Sequence, residues 1–126
     1  MHQSLTGCLI NETIRLLKPA IFHAAALRVI RSFPDEVRRV IGQTILDLQH
    51  GALIGMPLSR PMPSVASGVA ELRIRERDGS YRVFYYAKSA AGVLILHAFT
   101  KKTQQTPGSE IAMARRRLKE LLDETV

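Results

Sequence analysis

The spacing of apolar and polar residues changes along the chain and separates helical from extended segments. Between Val37 and Leu48 the apolar residues recur every three or four positions, which predicts a helix. The run Ser32-Phe33-Pro34-Asp35 is typical of a helix start, with Ser32 as the cap. Residues 24–31 are predicted to form a shorter helix, and residues 20–23 a short first strand. Residues 51–69 contain three prolines and three glycines and are predicted to form a loop.

The second half of the chain switches to a period of two. Residues 71–77 alternate strictly, Asp78-Gly79 is a strong two-residue turn signal, and residues 80–87 form a second alternating run. A five-residue loop, 88–92, leads into the apolar segment 93–101, so the pattern predicts a three-stranded meander. After Ser109 the apolar residues again recur at helical spacing, which predicts a C-terminal helix. We therefore predict an α+β fold: a small twisted antiparallel sheet, made of the short N-terminal strand plus the meander, with N-terminal helices packed on one face and a C-terminal helix.

A turn at Asp78-Gly79 would place Arg77 opposite Ser80 and Arg75 opposite Arg82. One face of the hairpin is then apolar and suited to cover by helices. The other face is predicted to carry Arg73, Arg75, Arg77, Arg82, Phe84 and Tyr86. Like charges opposite each other destabilise a hairpin, which suggests a compensating use, although Glu71 or Glu76 could neutralise part of the cluster.

His97 lies in the most apolar strand, and its face depends on the loop before it. A five-residue loop places Tyr85 opposite Ile95 and His97 on the helix-covered side. A loop one residue shorter places His97 opposite Phe84, on the arginine side. Lys101 and Lys102 end the strand and point to opposite faces, so one of them reaches the arginine side in either register.

Composition and charge narrow the classes of function. The chain has 126 residues, a net charge of +7 and a pI near 10.2, which favours a polyanionic partner. The excess of positive charge is concentrated in residues 60–102, which include eight basic and three acidic residues. A single cysteine fits a reducing cytoplasm, no apolar run is long enough for a membrane span, and no zinc-ligand spacing occurs. We therefore expect a cytoplasmic protein without a membrane segment, cofactor or metal.

Guanidinium groups beside aromatic rings are typical of sites for single-stranded RNA, since arginine grips phosphate in a fork and rings stack on unpaired bases. The alternative is an ordinary solvated sheet face, in which the arginine stems cover apolar surface. The pattern favours neither interpretation.

Three segments, in this order, resemble a known protein family: SFPDEVRRVIG, then ELRIR followed by YRVFY, then LHAFTKKTQQTPGSEIAMARRRLKEL. The chain is similar to the HigB-like branch of the RelE/ParE toxin superfamily of bacterial toxin–antitoxin systems, over about residues 18–122. The resemblance implies one toxin domain over residues 18–126, with residues 1–17 as an N-terminal extension of unclear role. It also implies a metal-independent endoribonuclease acting on mRNA on the ribosome, and a helix-turn-helix antitoxin from the adjacent gene.

The family's basic site residues correspond to Arg73, Arg82, Lys101 and Lys102, and His97 and Phe99 belong to the same signature. Together with the hairpin pattern, this predicts a catalytic set of Arg73, Arg82, His97, Lys101 and Lys102. The predicted RNA-binding set is Arg75, Arg77, Phe84, Tyr86 and Phe99. The reaction expected is attack of the ribose 2′-hydroxyl on the neighbouring phosphate. Two alternatives stay open: a non-enzymatic inhibitor of DNA gyrase, as in other members of the superfamily, or an inactive phage-type remnant.

Overall fold

The computed structural model describes residues 17–102 and 104–124 and has α+β architecture, as predicted. Its helices are α1 (Ala24–Arg31), α2 (Asp35–Gln49) and α3 (Gly108–Glu124). Its strands are β1 (Ala20–Phe22), β2 (Ser59–Pro61), β3 (Val69–Glu76), β4 (Gly79–Ser89) and β5 (Gly92–Lys101). Within the part of the chain that the structure describes, no helix is both long enough and apolar enough to cross a membrane.

The sheet is mixed, which corrects the prediction of a purely antiparallel one. Its strand order is β1-β5-β4-β3-β2, and β1 pairs with β5 in parallel. β3, β4 and β5 form the predicted antiparallel meander. The fifth strand, β2, lies in the segment predicted to be a loop and pairs antiparallel with the edge of β3. Three residues with a proline at one end offer no alternation, so periodicity could not detect this strand.

Helices cover both faces of the sheet. α1 and α2 pack on the face of Leu72, Val83 and Ile95, as predicted. α3 packs on the opposite face and buries four large apolar side chains: Phe84, Leu94, Leu96 and Phe99. α3 therefore covers much of the face that was predicted to carry arginines beside aromatic rings, because the helix needs an apolar surface for its own stripe of Ala114, Leu118 and Leu121.

The β3–β4 turn differs from the prediction by one position. Glu76 pairs with Gly79, so Arg77 and Asp78 form the turn and Arg73 pairs with Arg82. Each partner in the hairpin thus moves by two positions, so the residues that stay in β3 and β4 keep their predicted faces. Arg77 leaves the sheet face because it occupies the exposed turn.

The start of α2 is also different from the prediction. The helix begins after Pro34, which makes no side-chain cap, and the Ser32 hydroxyl instead donates to the Val29 carbonyl at the end of α1. Gly51, with a φ of +90°, follows the end of α2.

Candidate RNA-binding and catalytic site

Basic residues from three strands surround one buried carboxylate on the α3 side of the sheet. Glu71, in β3, is 0% exposed. Its Oε1 lies 3.2 Å from Arg60 Nε, 3.7 Å from Arg82 Nε and 4.0 Å from Arg73 Nε. We use the term basic cluster for these three arginines together with Arg75 and Lys101.

Strand pairing explains why these residues meet. Glu71 pairs with Arg60 across the β2–β3 ladder, and Arg73, two residues further along β3, pairs with Arg82 of β4. Side chains two apart on a strand share a face, so a carboxylate between guanidiniums follows from the alternation of ELR and YRV. The prediction that Glu71 could neutralise part of the cluster is confirmed.

The two central arginines differ in exposure. Arg82 has 5% of its side chain exposed, and its Nη1 donates to Ser80 Oγ at 2.9 Å and to the Tyr81 carbonyl at 3.2 Å. Burial lowers the pKa of Arg82 below its ordinary value; Glu71 opposes this, and the neighbouring guanidiniums of Arg73, Arg60 and Arg75 add to it. Arg73 has 29% of its side chain exposed. Arg82 therefore forms the floor of the site, and Arg73 reaches solvent.

An open cleft of about 350 Å³ lies beside these arginines. Its lining combines cationic, hydroxyl and apolar side chains: Pro57, Leu58, Arg73, Arg75, Ser80 and Arg82. The Arg73 backbone N–H donates to the Leu58 carbonyl at 2.7 Å, so the apolar wall is fixed to the strand that carries the arginines. Three guanidiniums next to an apolar wall can bind a phosphate and a neighbouring planar group.

Lys101 completes the cluster at the end of β5. It pairs with Ser80 in the β4–β5 ladder and is half-buried. Burial lowers the pKa of the Lys101 ammonium, and the charges of Arg82, Arg60 and Arg73 lower it further, while Glu71 opposes them. A lysine with a lowered pKa beside guanidiniums that can bind phosphate is suited to proton transfer. Lys102 follows the strand end and is exposed.

His97 lies on the arginine side of the sheet, the second of the two registers that the sequence left open. Phe84 pairs with His97 while Tyr85 pairs with Ile95, so Leu96 is the extra residue of a β-bulge. The pairing of Tyr85 with Ile95 is thus confirmed. The alternative that placed His97 on the side covered by α1 and α2 is wrong, since Ala98 occupies that side opposite Val83.

Both ring nitrogens of His97 face residues of α3. Arg117 Nη1 lies 2.8 Å from Nδ1, and Glu110 Oε1 lies 3.3 Å from Nε2. Arginine can only donate, so Nδ1 accepts and the proton of the neutral ring is on Nε2. Burial lowers the pKa of His97, Glu110 opposes this, and Arg117 adds to the lowering. His97 is 7% exposed and connects α3 to the sheet.

The aromatic rings predicted to stack on RNA bases are largely covered in this structure. Phe84 is 0% and Phe99 7% exposed, and both lie under α3. Tyr86 is half-buried against the same apolar cluster. The Tyr85 hydroxyl points away from these rings: it lies 2.6 Å from Ser59 Oγ on the α1–α2 side, and burial raises the pKa of Tyr85. The predicted arrangement of open rings beside the arginines is wrong, because α3 covers those rings.

A comparison with known protein families shows the family of this chain. The chain matches the family described as "Phage derived protein Gp49-like (DUF891)" over residues 28–119, nearly three quarters of its length. The chain belongs to this family. The Gp49-like family is related to the RelE- and HigB-like toxins of toxin–antitoxin systems. No curated protein matches the chain.

Within this Gp49-like protein, the structure brings Arg73, Arg75, Arg82 and Lys101 together and separates Arg77, Lys102 and His97 from them. Arg60 is the basic residue that sequence reasoning missed. It lies in β2, and its signal was a single basic residue between prolines of the 51–69 segment. Among residues 17–102 and 104–124, no group of three or more His, Cys, Asp or Glu side chains is placed to hold a metal ion.

Proposed function

We propose that this Gp49-like protein is the toxin of a toxin–antitoxin pair and an endoribonuclease that cleaves mRNA on the ribosome. The observation that carries the proposal is the direct pairing of Arg73 with Arg82 beside Lys101, around an open cleft. Two adjacent guanidiniums fit the oxygens of one phosphodiester, and an amine with a lowered pKa supplies a proton next to them.

The proposed chemistry uses the protein, its RNA and water. The ribose 2′-oxygen attacks the adjacent phosphorus, its proton passes to solvent, and the bond from phosphorus to the 5′-oxygen breaks. Lys101 donates a proton to the leaving 5′-oxygen, so the products are a 2′,3′-cyclic phosphate and a 5′-hydroxyl. Arg73 and Arg82 stabilise the extra negative charge on the phosphorane. Arg75, which is exposed at the cleft, is placed to bind a neighbouring phosphate.

A single strand is the substrate form that best suits this cleft. The wall of Pro57 and Leu58 offers an apolar contact for an unstacked base, whereas bases inside a duplex are already stacked. His97 has no direct role in this proposal, because both of its nitrogens face α3 residues. We propose cytoplasmic action and control by a helix-turn-helix antitoxin.

The test is inducible expression in cells, with growth and primer-extension maps of mRNA as readouts. Arg73→Ala and Lys101→Ala are expected to relieve growth arrest and abolish cleavage sites that appear with the wild type. Arg28→Ala, which removes an exposed arginine of α1, is the matched control and should remain toxic. Wild-type toxicity with intact mRNA and a DNA-damage response would contradict the proposal and favour a gyrase inhibitor. Absence of any toxicity would favour an inactive remnant.

A further inference from the structure

The carboxylate at the centre of the basic cluster is the most unusual group in the site. Glu71 is 0% exposed, yet a buried charge is costly unless it is compensated. Its Oε1 faces three guanidinium Nε atoms, and its Oε2 accepts a hydrogen bond from Thr106 Oγ1 at 3.3 Å. It has no route to a substrate, because its side chain is closed off from solvent. Direct proton transfer to RNA is therefore not its role.

The contacts orient the arginines. Each of the three guanidiniums turns its inner Nε edge to Glu71, and Arg73 and Arg82 also line the cleft. An arginine side chain has many accessible rotamers, and a shared carboxylate removes much of that freedom before a substrate arrives. A buried anion also offsets the repulsion between Arg73 and Arg82, which face each other across the ladder.

The distances suggest an arrangement that a phosphate can tighten. Nε of Arg60, Arg73 and Arg82 and Oε1 of Glu71 are buried, and within the described part of the chain none has a hydrogen-bond partner. The contact of each Nε atom with Glu71 is thus one of charge at 3.2–4.0 Å, with mutual repulsion among the guanidiniums, and Arg82 is also held by its hydrogen bonds to Ser80 and the Tyr81 carbonyl. A bound phosphate would reduce that repulsion, and catalytic contacts that are long in a free enzyme commonly shorten in the complex.

From this geometry we infer that Glu71 is a positioning residue for phosphate cleavage, an inference that rests on the proposed function. Glu71 sets the orientation of Arg73 and Arg82 toward the scissile phosphate of a single-stranded RNA. Thr106, in the segment before α3, holds the second oxygen of the carboxylate. The effect is on the maximal cleavage rate, since binding of RNA depends on total positive charge, which removal of Glu71 does not reduce.

The experiment compares Glu71→Gln with the wild type in a reconstituted translation mixture that contains a reporter mRNA. Single-turnover cleavage at several toxin concentrations gives the maximal rate and the half-saturating concentration. Because misplacement by about 1 Å can cost about 100-fold in rate, Glu71→Gln should lower the maximal rate at least about 10-fold. The half-saturating concentration should change less than about threefold. Tighter binding of a mixed-sequence 2′-O-methyl RNA strand at low salt is also expected.

Glu36→Gln is the matched control. It removes one carboxylate paired with an arginine, Arg39, at 3.0 Å on the exposed side of α2, and it changes the net charge equally. It should cleave at the wild-type rate. Glu71→Asp and Thr106→Val test the same inference should Glu71→Gln fail to fold. Both keep the charge and shift the carboxylate, so a rate several-fold below wild type supports the inference.

The outcomes separate this inference from the proposed function. A wild-type protein that does not cleave mRNA overturns both. A wild type that cleaves, with folded Glu71→Gln equal to it in maximal rate, overturns the positioning role alone. The same conclusion follows if Glu71→Gln does not fold and both Glu71→Asp and Thr106→Val cleave at the wild-type rate. A purely structural role would lower thermal stability and the concentration of active protein without lowering the maximal rate per active molecule.

Discussion

Arg73 and Arg82 are direct partners in the antiparallel ladder between β3 and β4, so two guanidinium side chains lie next to each other on one face of the sheet. Like charges in this position cost about 0.2–1 kcal/mol in a hairpin. The buried carboxylate of Glu71 offsets that cost, because its Oε1 lies within 4.0 Å of the Nε atoms of both arginines. The pair is the site that we propose for one phosphate group.

Arg73 and Arg82 should act as a unit. If both bind the same phosphate, Arg73→Ala and Arg82→Ala each lower the maximal cleavage rate by about 100-fold, equivalent to about 2.7 kcal/mol. The rate of the double variant should fall by much less than the product of the two single reductions, because the second arginine has little effect once the phosphate is misplaced. Reporter-mRNA cleavage by all four proteins measures the coupling. Fully multiplicative losses would mean that the two residues act on separate groups.

Lys101 should set the alkaline limit of cleavage. Its pKa is lowered by burial and by the guanidiniums of Arg82, Arg60 and Arg73. As the acid in the reaction, it must be protonated, so the rate should fall as the pH rises through this lowered pKa. Lys101→Arg keeps the charge but cannot donate a proton in this range, so it should cleave slowly with little decline at alkaline pH. An unchanged pH–rate profile in Lys101→Arg would contradict the assignment, and Lys88→Arg, at an exposed position of β4, is the control.

The sequence predicted the faces of the hairpin better than its pairing. Alternation with a period of two assigns Arg73, Arg75 and Arg82 to one face for either position of the turn. Moving each partner by two positions preserves that assignment. The residues that form the turn depend on local backbone energies near Asp78-Gly79, which the pattern does not resolve. For this reason Arg77 was predicted to lie on the sheet face, whereas the structure places it in the turn.

The packing of α3 on the arginine side of the sheet was not predictable from the pattern of apolar and polar residues. The apolar stripe of α3 predicts that the helix packs against an apolar surface, but it does not indicate which face of the sheet provides that surface. Phe84 and Phe99 are compatible with RNA stacking and with burial under a helix, and only the tertiary structure decides between them. The position of His97 depends on the bulge at Leu96, which carries no glycine or other signal in the sequence.

Gly92 should be required for the contact between β1 and β5. Its φ is +145°, and a Cβ there would clash with the Pro19 carbonyl oxygen and lie 3.0 Å from Pro19 Cγ. Pro19 O accepts a hydrogen bond from Val93 N at 2.8 Å, so the clash would separate the two strands. Gly92→Ala should reduce the free energy of unfolding by about 2–3 kcal/mol in urea titrations. Gly42→Ala, in α2 with nothing within 4 Å of the new methyl group, should stabilise the protein by about 0.5–1 kcal/mol. Equal effects of the two changes would contradict this account.

His97 should make folding stability dependent on pH below neutrality. Burial, together with Arg117, lowers its pKa in the folded protein, and Glu110 opposes the shift. In the unfolded chain the pKa is about 6.5, so as the pH falls below that value the unfolded state binds a proton that the folded state does not. The stabilisation by neutral His97 is therefore present above about pH 6.5 and is lost progressively as the pH falls toward the lowered pKa, with a slope of at most about 1.4 kcal/mol per pH unit.

The measurement is the free energy of unfolding in urea at pH 7.5, 6.5 and 5.5. His97→Gln keeps an acceptor for Arg117 and a donor toward Glu110 but cannot titrate, so its stability should vary less with pH than that of the wild type. His50→Gln makes the same exchange at an exposed position after α2 and should follow the wild-type curve. Other groups, including His23 and Glu110, are present in all three proteins, so the difference between the curves measures His97 together with its interaction with Glu110. Parallel curves for the wild type and His97→Gln would show that His97 titrates alike in the folded and unfolded states.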